Sequence, residues 1–407
     1  MKKMIALLLA AVLMLSMTAC AQEPAETTGN TEPSTEPAAV NDLYGKDSYT
    51  ASDADAAAGR ETVVGTVGDA ALTNGVLQLY YWIDVYNFLS SSGNYISLYG
   101  LDLTQPLDTQ ACVNTDGTWQ HYFLNSSLET WHSAQAMALM AEETNTPMEE
   151  TMQKDLDGLM ELLDEQAKNG GYTNADAMIQ RDAGAGCTAQ DYYDYTKVYY
   201  LAYSYFDKMC DQIQVTDAMI EQYYNKYQSD LASQGVTKDS GNSHSVRHIL
   251  IKVTGGTKDD SGNTTYSDAE WEACRSAAQK LLDDWLAGEH TEDTFIQLAN
   301  KHSEDPGSNT NGGLYDGLTG DTNFVEEFKQ WYLTEGRQAG DYGLIKTDYG
   351  YHIMYYSGNE PQWITACRNG VTEELTAKIV TDATTKYPAT IKYENILLGS
   401  VDLSEDE

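Results

Sequence analysis

A chain of 407 residues is too long for one ordinary domain, so two or three units with sizeable cores are expected. Acidic side chains number 62 against 24 basic ones, giving a formal net charge of -38. A surface this negative repels phosphate backbones and anionic lipid headgroups, which argues against nucleic-acid binding; it favours solubility and can draw basic or partly unfolded chains.

The chain opens with Lys2 and Lys3 ahead of an apolar run from Met4 to Met17, 14 residues long. That is shorter than the roughly 20 residues a membrane-spanning helix needs, so residues 1–19 read as a signal peptide. Met17-Thr18-Ala19-Cys20 resembles a bacterial lipobox with Cys20 as the lipidated residue, although Met17 stands where Leu is usual. An ordinary signal peptide cut nearby is the alternative. Ala21 to about Asp55 is rich in Glu, Thr, Pro, Ser, Ala and Asp, with almost no large apolar side chains. Residues 20–60 therefore read as a lipid anchor and disordered tether. One lipid chain holds weakly, and the resemblance to bacterial lipoproteins implies a diacyl or triacyl Cys20. The other cysteines, Cys112, Cys187, Cys210, Cys274 and Cys367, are odd in number, widely spaced and without a CxxC. They suggest neither a disulfide framework nor a zinc site. Cys274 falls on an apolar helical face and reads as core packing.

Ordered structure is expected from Glu61. Thr62 to Val67 is β-branched, Gly68-Asp69 is a turn, and Thr73 can cap a helix running through Val76, Leu77, Leu79, Tyr80, Ile83 and Tyr86. A short strand, a turn and a Leu-Thr helix opening resemble the start of the chaperone domain of PrsA- and SurA-type foldases. From Trp119 to Leu231 the apolar spacing is helical, as at Trp131, Ala134, Met137, Ala138 and Ala141. Asp191 to Asp211 carries seven tyrosines, Tyr192, Tyr193, Tyr195, Tyr199, Tyr200, Tyr203 and Tyr205. Such residues suit either a groove for extended peptides or ordinary helix packing. Residues 61–240 thus form a helical, chaperone-like domain, and Gln234 to Ser245 is polar enough to be a linker.

Val246 to Val253 alternates like a strand with one buried face. After a Gly/Asp-rich loop, Ser267 and Glu270 make a capping box for a helix burying Trp271, Cys274, Ala278, Leu281, Leu282 and Trp285. A second short helix contains Phe295, Leu298 and Ala299, followed by the turn-rich His302-Ser303-Glu304-Asp305-Pro306-Gly307-Ser308 and by Asn311-Gly312-Gly313. Asn323 can cap a helix bearing Phe324, Phe328 and Trp331, with Phe324 and Phe328 on one face. Gly343 to Met354 reads as strand, turn, strand. Helical spacing resumes at Trp363, Val371, Leu375, Ile379 and Val380, with a possible strand at Thr390 to Tyr393.

From Ser245 to Gly358 these parts, in this order, resemble a parvulin-type peptidyl-prolyl cis-trans isomerase: R-H-I-L at the start, A-x-x-x-S-x-D, a GG turn, an aromatic helix, and T-x-Y-G-Y-H-I at the end. The resemblance implies an α+β chain: a mainly helical chaperone domain with an inserted parvulin-like domain at 245–358, a small antiparallel sheet with surrounding helices. Residues 359–407 would return to the helical domain. Rotation about an X-Pro bond crosses a resonance barrier of about 18–20 kcal/mol, so a catalyst needs an apolar slot and a polar floor that favours the twisted amide, with no cofactor or metal. By resemblance the catalytic floor is His248, Asp305, Thr347 and His352. The two histidines hydrogen-bond across the sheet, and Asp305 stands where the family has Cys or Asp. Tyr315, Phe324, Phe328 and Tyr349 would bind substrate. Leu314-Tyr315-Asp316 departs from the family's usual Asp-Leu-Gly. Two histidines with Asp305 could also make a 2-His-1-carboxylate metal site, an alternative that the family pattern does not need. The expected function is that of a foldase lipoprotein of the PrsA/SurA type, anchored on the extracytoplasmic face of the cell membrane. Its partners would be unfolded secreted proteins with X-Pro bonds. The alternatives are a holdase with a weak parvulin domain and a solute-binding lipoprotein.

Overall fold

The computed structural model describes residues 45–93, 96, 99–112, 115, 117–258 and 264–403. The apolar N-terminal run, Cys20 and most of the expected tether lie outside the described residues. No helix among the described residues is long and apolar enough to cross a membrane. The chain forms two compact units, Met1–Ile213 with Leu375–Glu407, and Gln214–Glu374, so the second is inserted into the first.

Order in the first unit begins before Glu61, earlier than composition suggested. Helix α1 (Asp53–Gly59) is capped by Ser52, whose hydroxyl accepts the Asp55 amide. The reason is one aromatic anchor: Tyr49 is fully buried and donates its amide to Gln120 Oε1 at 2.8 Å. Strands β1 (Val63–Val67) and β2 (Ala70–Thr73) form a hairpin, and β9 (Ala389–Ile391) pairs with β1, giving the order β2-β1-β9. Thr73 caps α2 (Asn74–Ser92) by accepting the Val76 amide. Helices α3 (Trp119–Glu143), α4 (Glu150–Asn169), α5 (Ala175–Ala183) and α6 (Ala189–Asp211) complete the unit. Its core gathers Tyr81, Trp82, Trp119, Phe123, Leu124 and Trp131. Tyr192, Tyr195, Tyr199 and Tyr205 of α6 are buried, so these four serve helix packing rather than a peptide groove. The returning C-terminal segment is held by buried Asn74, which accepts the Leu397 amide at 2.9 Å and donates to Asn395 O at 3.0 Å.

The second unit is built on an antiparallel sheet of order β6-β3-β8-β7. Helix α7 (Asp217–Ser233) precedes strand β3 (Asn242–Lys252), which therefore starts inside the expected linker; Ser243 there is buried. Strands β4 (Thr257–Lys258) and β5 (Thr264–Thr265) form a small ribbon ahead of α8 (Asp268–Leu286). Next come α9 (Glu292–His302), β6 (Leu314–Leu318), α10 (Glu326–Tyr332), β7 (Tyr342–Thr347) and β8 (Gly350–Pro361). Helix α11 (Gln362–Lys386) leads back into the first unit's sequence. Side chains alternate between the two faces of a strand, which sorts this sheet cleanly. Ile249, Ile353 and Tyr355 face one way and pack under Ala278, Leu282 and Trp285 of α8 and Phe295 and Ala299 of α9. Val246, Met354 and Tyr356 face the other way and pack under Phe328 and Tyr332 of α10. Cys187, Cys210, Cys274 and Cys367 are free thiols.

Candidate functional site

Register places the candidate floor. His248 lies opposite Met354, and Leu250 opposite His352, across β3 and β8. Opposed residues of an antiparallel pair share a face, so His248 and His352 are diagonal neighbours on the α10 side. Their Nδ1 atoms approach to 3.0 Å and their rings stack at 5.1 Å between centroids. Both are buried, as is Thr347 at the end of β7.

Asp305 arrives from the loop after α9, and β3 itself holds that loop. The Glu304 amide donates to Leu250 O at 2.9 Å, and the Leu250 amide donates to Ser303 Oγ at 3.2 Å. The Asp305 carboxylate then lies beside His248, with Oδ2 at 3.1 Å from His248 Nε2. Oδ2 also accepts from the Ser308 hydroxyl at 2.6 Å and from the Tyr315 hydroxyl at 2.9 Å.

These contacts fix one proton position once Asp305 is taken as ionised. An ionised carboxylate only accepts, so His248 Nε2 carries a proton. Its Nδ1 shares a hydrogen bond with His352 Nδ1. His352 Nε2 is hydrogen-bonded to the Thr347 hydroxyl at 2.8 Å, and Thr347 Oγ1 accepts the Tyr349 amide at 3.2 Å. The result is one continuous hydrogen-bonded chain from Thr347 through His352 and His248 to Asp305. Electrostatics agree with it. The His248 N–H, with the Ser308 and Tyr315 hydroxyls, holds the Asp305 carboxyl well below the usual carboxylate range. Burial, with His248 alongside, lowers His352 to about 3, so its imidazole is neutral. Burial and the neighbouring carboxylate raise the Tyr315 phenol to about 12.

An aromatic cluster sits beside this floor. The Phe324 and Phe328 rings stack at 4.9 Å with an interplanar angle of 14°. Tyr315 meets Phe324 edge-on at 4.9 Å, and Phe328 meets His248 edge-on at 5.2 Å. One expectation needs correcting: Phe324 is not on the helix. Helix α10 begins at Glu326 with Val325 in the capping position and no side-chain cap, so Asn323 does not cap it. Phe324 reaches Phe328 from the extended segment ahead of it. Phe328 is 1% exposed and backs the cluster, while Phe324 and Tyr315 are half-buried and face outward. Tyr349 stands apart on the β7–β8 turn, 62% exposed.

The structure thus brings together His248, His352, Thr347, Asp305, Tyr315, Phe324 and Phe328, and leaves Tyr349 outside. Ser308 is a further member that sequence reasoning missed. It is 1% exposed and lies within reach of both Asp305 and His248, at 3.2 Å from His248 Nε2. The available signal was its spacing, three residues after Asp305 in a Pro-Gly turn, where a hydroxyl folds back on its own loop. Among the described residues no group of three or more His, Cys, Asp or Glu side chains has an arrangement that could hold a metal ion. The two histidines direct their Nδ1 atoms at each other rather than at a shared third point.

Residues 230–358 match the PPIC-type PPIASE domain family. Foldase protein PrsA 1 of Listeria monocytogenes is 28% identical over 200 residues, covering 44% of this chain and 67% of that protein. Foldase protein PrsA of a Geobacillus species is 28% identical over 151 residues, covering 37% of this chain and 40% of its own. The crystal structure of PrsA from Bacillus subtilis aligns with 68% of this chain and 91% of its own, at 18% identity and a TM-score of 0.33. Residues 230–358 thus form a parvulin-type peptidyl-prolyl cis-trans isomerase domain, in a chain that is similar over part of its length to PrsA foldases.

Proposed function

We propose that the chain is an extracytoplasmic, lipid-anchored foldase that speeds X-Pro rotation in unfolded secreted polypeptides by non-covalent stabilisation of the twisted amide. The observation that carries the mechanism is the hydrogen-bonded chain Thr347–His352–His248–Asp305 beside half-buried Tyr315 and Phe324. Twisting the amide ends its resonance and leaves the carbonyl carbon more positive. A fixed carboxylate next to that carbon favours the twisted form over either planar one, without bond making. The histidine pair orients Asp305 through His248 Nε2, and burial keeps His352 behind it unprotonated. Phe324 and Tyr315 offer the prolyl ring an apolar wall, and Phe328 supports them from behind. The anchor and location rest on the sequence of residues 1–20, and the clients on the kinship with PrsA foldases.

The test is the isomerisation of a short X-Pro peptide by the full chain, which without catalyst takes tens of seconds. Asp305→Ala should lower kcat by at least about tenfold. Phe324→Ala should act mainly on KM, because it removes a wall that holds the ring equally in ground and transition states. No acceleration by the wild-type chain would leave only the holdase reading, in which aggregation of an unfolded client is suppressed without catalysis.

A further inference from the structure

Of the three donors on Asp305 Oδ2, two are local to the floor. His248 is the neighbouring strand residue, and Ser308 closes Asp305's own turn. Tyr315 comes from β6, and its ring is already accounted for by packing on Phe324 at 4.9 Å and near His248 at 5.4 Å. A phenylalanine would give those contacts equally well. The hydroxyl is the addition, and the loop makes room for it. A Cβ placed on Gly307 would come within 2.5 Å of the Tyr315 hydroxyl oxygen, closer than any side chain tolerates. Gly307 does not have the positive φ that requires glycine at other turns. Close approach of the hydroxyl is therefore the reason for a glycine here.

We propose that the Tyr315 hydroxyl is a positioning group for the isomerisation: it clamps Asp305 against the aromatic wall, in the space that Gly307 leaves open. Wall and carboxylate then move as one piece, so a prolyl ring seated against Tyr315 is registered against the charge that acts on its amide. The inference rests on the reading of Asp305 as the acting carboxylate. The groups that face Asp305 are His248 and, behind it, His352 from the sheet, Ser308 from its own loop and Tyr315 from β6.

The experiment uses the full chain and separates kcat from KM on a short X-Pro peptide. A hydrogen bond to a charged group is worth enough that Tyr315→Phe should lower kcat about fivefold to tenfold, with KM changed by less than about twofold. In an Asp305→Ala background the same change should add no further loss, because the hydroxyl acts through the carboxylate. Gly307→Ala should lower kcat in the tyrosine chain and cost nothing further in the Tyr315→Phe chain. A loss confined to KM, or the same Gly307→Ala penalty with and without the hydroxyl, overturns the proposal. If Asp305→Ala leaves kcat unchanged, the reading of Asp305 is what fails. The Gly307–Tyr315 coupling, read from urea midpoints of the same variants, then decides the clamp by itself: additive midpoints would overturn it and non-additive ones would uphold it.

Discussion

His352 shows how burial settles chemistry at a single side chain. It lies in a sheet face covered by α10, and each ring nitrogen already has a hydrogen-bond partner, Thr347 on one side and His248 on the other. Protonation would bury an unpaired charge, so its folded value drops to about 3, against about 6.5 for an unfolded histidine. The sign follows from linkage. Between those values the unfolded chain takes up the proton and the folded one does not, so stability present above about 6.5 drains away as pH falls towards 3. His352→Gln should therefore be less stable than wild type at pH 7.5, and the gap should narrow by on the order of 2 kcal/mol by pH 4. Thermal unfolding of both chains across that range measures it. A gap independent of pH would mean that His352 binds its proton equally well folded and unfolded, so that burial does not hold it neutral.

At the scale of elements the GG turn positions the floor. The His248 amide donates to Gly313 O at 2.9 Å, and Arg247 Nη1 reaches both Asn311 O and Gly312 O at 3.2 Å. Gly313 has φ +73°, and a Cβ there would stand 2.3 Å from His248 O, a backbone atom that cannot swing aside. Gly313→Ala should thus destabilise the second unit by roughly 2–4 kcal/mol and abolish isomerisation. Gly320→Ala, where an added Cβ meets nothing within 4 Å, serves as the control and should be close to neutral in the same urea titration. Elements of this kind were legible where chemistry is local. The Ser267–Glu270 capping box forms as its spacing predicts, and so does the Thr73 cap. Two boundaries were not legible, for the same reason. Strand β3 begins at polar Asn242 because Asn242 and Ser243 pair across to Glu360 and Pro361, which no periodicity in 242–245 announces. Helix α10 starts late because Phe324 is drawn out to stack on Phe328, and that tertiary contact outweighs the capping preference of Asn323. In the site, strand histidines and aromatic residues followed from order along the chain. The convergence of Ser308 and Tyr315 on one oxygen of Asp305 needed the folded loop.

At the scale of the whole molecule, the α+β class followed from the family resemblance, and the insertion of one unit into the other from that resemblance together with the return of helical spacing after Gly358. The unit that carries the site is nonetheless larger than its motifs. Between Gln214 and Ser245, and again after Gly358, the chain adds a small core of Ile220, Tyr224, Leu231, Val236 and Cys367, with Trp363 edge-on to Tyr224 at 5.3 Å. Polar ties cross the same region: Ser243 Oγ to Thr365 Oγ1 at 2.6 Å, Arg368 Nη2 to Glu360 Oε2 at 2.7 Å, and Lys226 Nζ to Glu374 Oε1 at 2.8 Å. The exposed ion pair contributes little; the buried apolar side chains carry the difference. A fragment of residues 214–374 should therefore unfold in one cooperative step at a urea midpoint above that of residues 245–358, with at least about 2 kcal/mol between them. Both fragments contain His248, Asp305, Thr347 and His352, so both should isomerise an X-Pro peptide. Equal midpoints would show that the helical flanks add no stability to the isomerase, and that its foldable limits are those of the sequence motifs.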